Sequence, residues 1–226
     1  MAPRPQAEVE LSASISPDTV SLSRLEEPLR ITITAKTVSS SKPSSGIYID
    51  ARMTSLDNRG PGLYCGALRL RSVSNPENII SFAPASRFSY STADWDPDLR
   101  KNDFHHFLVI PAVGRGDLTV THEITGSRIF QYSRTRPSDV SPGSEYRIEI
   151  TEQGLGAYWW TFEDEAEGKM FFQGMFPSED GISGLKSEDP AFVEQRYAEG
   201  YIYSYHPYDL KYKVKEDSPA IIRFVE

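Results

Sequence analysis

Val9, Leu11, Ala13 and Ile15 alternate with Glu10, Ser12 and Ser14, and the same two-residue rhythm returns twice more in this chain. Leu29, Ile31, Ile33 and Ala35 alternate with Arg30, Thr32, Thr34 and Lys36; Tyr146, Ile148 and Ile150 alternate with Arg147, Glu149 and Thr151. Successive side chains of an extended strand point to opposite faces, so each stretch acquires one apolar and one polar face. Such a strand cannot stand alone in water: it pairs with neighbours and lays its apolar face on a second layer. Turn residues interrupt the rhythm at short intervals, at Pro17-Asp18, Asn58-Arg59-Gly60-Pro61-Gly62, Pro142-Gly143 and Gly154-Leu155-Gly156. The pattern predicts an all-β chain.

Shorter strands are predicted over 46–51, 63–73, 79–82, 106–110, 118–124, 157–162 and 171–176, and again over 201–214 and 220–225. That makes roughly nine to twelve strands, with turns at the spacing of a sandwich. One helix interrupts them near 190–199. Asp189-Pro190 suits its N-cap and first position, Phe192, Val193, Arg196 and Tyr197 share a face, and Gly200 suits its stop. The stretch 83–103 is irregular and carries Trp95; it is either a functional loop or the place of an unrecognised element. No internal repeat or linker divides the chain. Residues 1–7, Pro-rich and polar, read as a disordered tail, and 8–226 as a single domain.

Ser141-Pro142-Gly143-Ser144-Glu145-Tyr146 resembles the turn-and-tyrosine entry of fibronectin type III and other immunoglobulin-like domains. In such a tyrosine corner the hydroxyl returns to upstream backbone. Phe107-Leu108-Val109-Ile110-Pro111-Ala112, the Pro-Gly-x-x-Tyr strand and Leu155-Gly156-Ala157-Tyr158-Trp159-Trp160 together resemble a loose group of small β-sandwich proteins from filamentous fungi. The resemblance covers about half of the chain, stops at Gly168 and carries no activity with it. It implies an antiparallel immunoglobulin-like β-sandwich, here with the one short helix inserted before the last strands.

A net charge of −8 argues against nucleic-acid or anionic-membrane partners, which require a basic surface. Cys65 is the single cysteine, so no intrachain disulfide forms and a reducing, cytoplasmic setting is expected. Met1 to Gln6 lack the apolar segment of a secretory leader, and no apolar run approaches spanning length.

Catalytic motifs are absent: there is no Gly-x-Ser-x-Gly elbow, phosphate loop or dinucleotide-binding glycine pattern. His122 shares the apolar face of Leu118, Val120 and Ile124, where an imidazole is either an acid/base group or a core residue with one hydrogen-bond partner. His105 and His106 are adjacent, so on a strand they face opposite ways and cannot both hold one ion. Either of them with His122 and Asp103 or Glu123 would make a mixed metal site, but no ligand spacing supports one, and neither metal nor cofactor is expected. The acidic Glu163 to Glu167 lacks the alternating ligands of a calcium loop and reads as a solvated turn. Cys65 reads as a buried, inert thiol on a strand.

The aromatics pose a better question. Of Trp159 and Trp160 one ring faces the core; the other faces water or is covered by neighbouring strands. Tyr201, Tyr203 and Tyr205 share one face of a strand in a tyrosine-dense segment that also holds Tyr197, Tyr208 and Tyr212. The expectation is therefore a non-catalytic intracellular binding protein. Its recognition surface would be Trp159, Trp160, Trp95, Tyr201, Tyr203 and Tyr205, meeting a protein or a small aromatic or carbohydrate ligand. The alternative is a small-metabolite enzyme of cyclase or isomerase type, with His122 as acid/base and Tyr158 or Asp103 as helper. A homodimer through a free strand edge is compatible with either.

Overall fold

The computed structural model describes residues 5–82, 96–175, 190–215, 217 and 219–226. In chain order the strands are β1 (Ala7–Ser16), β2 (Thr19–Ser21), β3 (Pro28–Ser40), β4 (Ile47–Asp50), β5 (Leu68–Ser72), β6 (Ile79–Ser81) and β7 (Phe107–Ile110). They continue with β8 (Leu118–Thr125), β9 (Glu145–Ile150), β10 (Trp160–Phe162), β11 (Met170–Met175), β12 (Tyr201–Ser204), β13 (Leu210–Val214) and β14 (Ile221–Val225). Among the described residues four short α-helices join them: α1 (Pro61–Tyr64), α2 (Gly126–Phe130), α3 (Glu163–Ala166) and α4 (Pro190–Ala198). The helix predicted at 190–199 is α4. The other three break a purely all-β reading.

The strands form four sheets among the described residues, ordered β13-β1-β3-β8, β10-β4-β7, β11-β12 and β2-β14-β9-β5-β6. Alternation places Val9, Leu11, Ile31, Ile33 and Ala35 at full burial, while Arg30 and Lys36 stay in water. β1 pairs antiparallel with β3 from Ala7 to Ser16, through a register shift at Glu8/Val9. Three pairs run parallel, however: β1 with β13, β2 with β14 and β11 with β12. An antiparallel-only sandwich is thereby corrected. Parallel neighbours need a long return; β13 reaches β1 only after most of the chain has been laid down, and α4 lies between β11 and β12 in sequence.

The tyrosine corner is corrected too. Gly143 takes the left-handed turn that Pro142-Gly143 implies (φ 90°), and Tyr146 is buried beyond it. Its hydroxyl, however, accepts from Asn78 Nδ2 at 3.0 Å, a side chain in the β5–β6 connection. The predicted strand 63–73 begins only at Leu68, because Pro61 opens α1 instead. Cys65 therefore follows a helix, half-buried, with burial pushing its thiol pKa up.

The four- and five-stranded sheets bury their apolar faces in one large core, together with β4 and β10. A second, smaller cluster gathers Leu99, Trp159, Ala166, Phe171 and Ile202. The three-stranded sheet divides them: Trp160 points into the first and Trp159 into the second. Among the described residues no helix is long and apolar enough to cross a membrane.

Candidate functional site

β4 is the middle strand of its sheet, so the chain leaving it at Asp50 emerges between β7 and β10. The next turn carries Asp-x-Arg twice, as Asp50-Ala51-Arg52 and Asp57-Asn58-Arg59. Both carboxylates are fully buried. His105 Nδ1 donates to Asp50 Oδ2 at 2.7 Å, and Arg52 Nε lies 3.0 Å from the same oxygen. His106 Nδ1 donates to Asp57 Oδ1 at 3.2 Å, and Arg59 Nε meets that oxygen at 3.1 Å. Adjacent residues of extended backbone face opposite ways, which is how one His-His pair serves two aspartates.

Burial opposes the ionisation of Asp57, yet the His106 ring, Arg59 and the Met53 N–H outweigh it and hold its pKa at about 2. Met53 takes φ 61°, a left-handed conformation unfavourable for methionine, and the N–H it presents to Asp57 helps offset that cost. Arg59 then ties the loop to the other segment through the carbonyls of Asp103 (2.8 Å) and His105 (2.9 Å). The cluster is a clasp: each charge is matched by another charge of the protein.

The three residues expected to share an acid/base site all border this loop. His122 is buried, and its Nε2 donates to the Ser55 carbonyl at 2.8 Å. Burial lowers its pKa, and Nε2 is satisfied while the buried Nδ1 meets no hydrogen-bond partner among the described residues. Tyr158 is exposed, its ring over the Arg52 guanidinium at 4.5 Å and its hydroxyl 3.7 Å from Met53 Sδ. Asp103 is exposed and meets the loop only through its backbone. No hydrogen bond or ring contact joins any two of the three.

The aromatic recognition strip is corrected by burial. Trp160 is fully buried, with Nε1 donating to the His206 carbonyl at 2.9 Å. Trp159, the ring that could have faced water, is covered: it stacks on Phe171 at 4.3 Å and donates to the Phe172 carbonyl at 3.0 Å. Tyr201 and Tyr203 are buried, and half-buried Tyr205 donates its hydroxyl to Glu165. Burial, then Glu165, raises the Tyr205 pKa far above its ordinary value. The acidic stretch is helix α3 rather than a turn, and Lys42 answers it at 2.5 Å from Glu165 and 3.2 Å from Asp164. Trp95 lies outside the described residues. Among the described residues, the large hydrophobic side chains left in water are Tyr158, Tyr208, Tyr132 and Val73.

A different feature was missed. A cleft of about 1010 Å³ opens where β5 and β9 meet the ends of β13 and β14. Its lining combines apolar Ile148, Ile150, Val214 and Ala220 with Arg69, Arg147, Lys215, Glu149 and Glu152. In the β5–β9 register Arg69 faces Glu149, and Arg71 faces Arg147. Glu149 therefore receives three guanidiniums, from Arg71 at 2.6 Å, Arg69 at 2.8 Å and Arg147 at 2.8 Å. Partial burial resists its ionisation, but the three arginines prevail and bring its pKa to about 2. The alternation already placed these side chains on the outward face of β9 and β5; nothing in it showed that they converge.

Comparison with protein-family models and with curated proteins gives no match for this chain.

Proposed function

We propose that this chain is a non-catalytic binding protein whose ligand is a small molecule seated in the β5–β9 cleft. The observation that carries this reading is the cleft itself, lined by apolar residues together with a few charged side chains. Ligand sites share that anatomy, with apolar contact supplying area and placed polar groups supplying orientation. Its chemistry favours holding over transforming. No histidine or cysteine lines it, and Glu149, with a pKa of about 2, is too weak a base for proton transfer near neutral pH. The histidines are spent elsewhere, on Asp50, Asp57, the Ser55 carbonyl and the Tyr208 backbone. This reading takes the recognition surface from the aromatic strands to the cleft.

The test is retention of a small molecule from a metabolite extract, read by native mass spectrometry on the intact chain. Wild type should keep one ligand, and Val214→Trp, which fills the cleft from its half-buried wall, should lose it without a lowered melting temperature. Equal retention by the variant would place the ligand elsewhere. Conversion of the retained molecule into a product would end the non-catalytic reading.

A further inference from the structure

We infer that the cleft selects an organic anion, a ligand with an apolar body and an oxyanion head held by Arg69, Arg147 and Lys215. This inference rests on the cleft being a binding site, and adds the chemistry of its occupant. The first support is a surplus of charge. Glu149 and Glu152 stand against Arg69, Arg147 and Lys215 in the cleft, and Arg71 joins them through Glu149 from just behind. In a chain of net charge −8 such a concentration of cations is a local reversal of sign. Directly opposed like charges on paired strands are destabilising, yet Arg71 and Arg147 are direct partners. One carboxylate shared three ways offsets part of that repulsion, and a bound anion would offset the rest.

The second support is a count of donors. Arg69 spends only Nε on Glu149, and Arg147 spends Nε (3.1 Å) and one terminal nitrogen (2.8 Å) on it. Both terminal nitrogens of Arg69, one of Arg147 and the ammonium of Lys215 meet no protein acceptor among the described residues. A guanidinium presents its donors in a planar fork that matches two oxygens of a carboxylate, sulfonate or phosphate. Glu149 fixes the Arg69 and Arg147 forks in place, so an arriving anion finds them already oriented, with less side-chain entropy to lose. Half-buried Val214, in the lining of the same cleft, offers the apolar body a surface to cover.

Two fluorescent probes with nearly the same aromatic body separate head from body: 1-anilinonaphthalene-8-sulfonate, an anion, and N-phenyl-1-naphthylamine, which is uncharged. Titrated against the intact chain, the sulfonate should saturate a single site and bind about tenfold more tightly than the neutral probe. Arg69→Gln/Arg147→Gln should remove that advantage, and inorganic phosphate should displace the sulfonate from wild type but not the neutral probe. Should the glutamine double variant fail to fold, Arg69→Lys/Arg147→Lys keeps the charge and removes the forks, and a loss of about threefold or more is then expected. Equal binding of both probes, unaffected by the arginine variants but abolished by Val214→Trp, would overturn the anion and leave the cleft standing. No binding of either probe to wild type, or binding that Val214→Trp does not touch, would overturn both.

Discussion

Replacing Asp57 by Asn tests whether the buried clasp holds the 51–59 loop by charge. The carboxyl ionises at about 2 in the fold against an ordinary 3.8, and at about 1.4 kcal/mol per pKa unit that gap is worth about 2 kcal/mol of stability when the group is charged. The folded pKa lies below the unfolded one, so the contribution is complete above roughly pH 4 and is lost as the pH falls toward about pH 2. Asn keeps the shape and one acceptor but cancels the attraction to Arg59 and the charge-assisted bond from His106. With a urea slope of about 2 kcal/mol per molar, the variant's unfolding midpoint near neutral pH should fall by about 1 M. Near pH 3 the gap between the two proteins should shrink by about 1 kcal/mol, because wild type has by then lost close to half of its advantage. Parallel urea titrations followed by tryptophan fluorescence read both quantities. A deficit that is the same at both pH values would show that the loop is held by packing and neutral hydrogen bonds, and the electrostatic argument would fail.

His122→Phe should cost about 1–3 kcal/mol near neutral pH by leaving the Ser55 carbonyl without its donor. Because burial lowers the His122 pKa, wild-type stability should decline as the pH drops below about 6.5, where the unfolded chain takes up the proton more readily. The variant should show a shallower decline, and identical pH slopes in thermal melts would refute this. Trp160→Ala, at a fully buried ring, should destabilise by about 3–5 kcal/mol, while Tyr208→Ala, at 83% exposure, should stay within about 0.5 kcal/mol. Comparable losses at the two sites, measured by chemical denaturation, would contradict the burial on which the corrected aromatic surface rests.

Local pattern carried much of the architecture. The apolar alternation of β1, β3 and β9 told which side chains turn inward, and Pro190 and Gly200 bracketed α4. It also told that Trp159 and Trp160 face opposite ways. What it left open was what covers the second ring, because Phe171 arrives from β11 and Ile202 from β12. The functional side chains show the same division. Asp50 and His105 are 55 residues apart, and Arg69 and Glu149 are 80 apart. The repeated Asp-x-Arg and the His-His pair were visible as words, but nothing local says which word answers which.

The order of side chains along this chain decided the inward and outward face of its longer strands, since a pleated backbone turns each residue over from the last. Strand direction, the second aromatic cluster, the carboxylate clasp and the arginine-ringed cleft were decided only by folding. Each requires distant segments to meet, and which segments meet depends on how whole sheets close over a shared core rather than on any neighbouring residue.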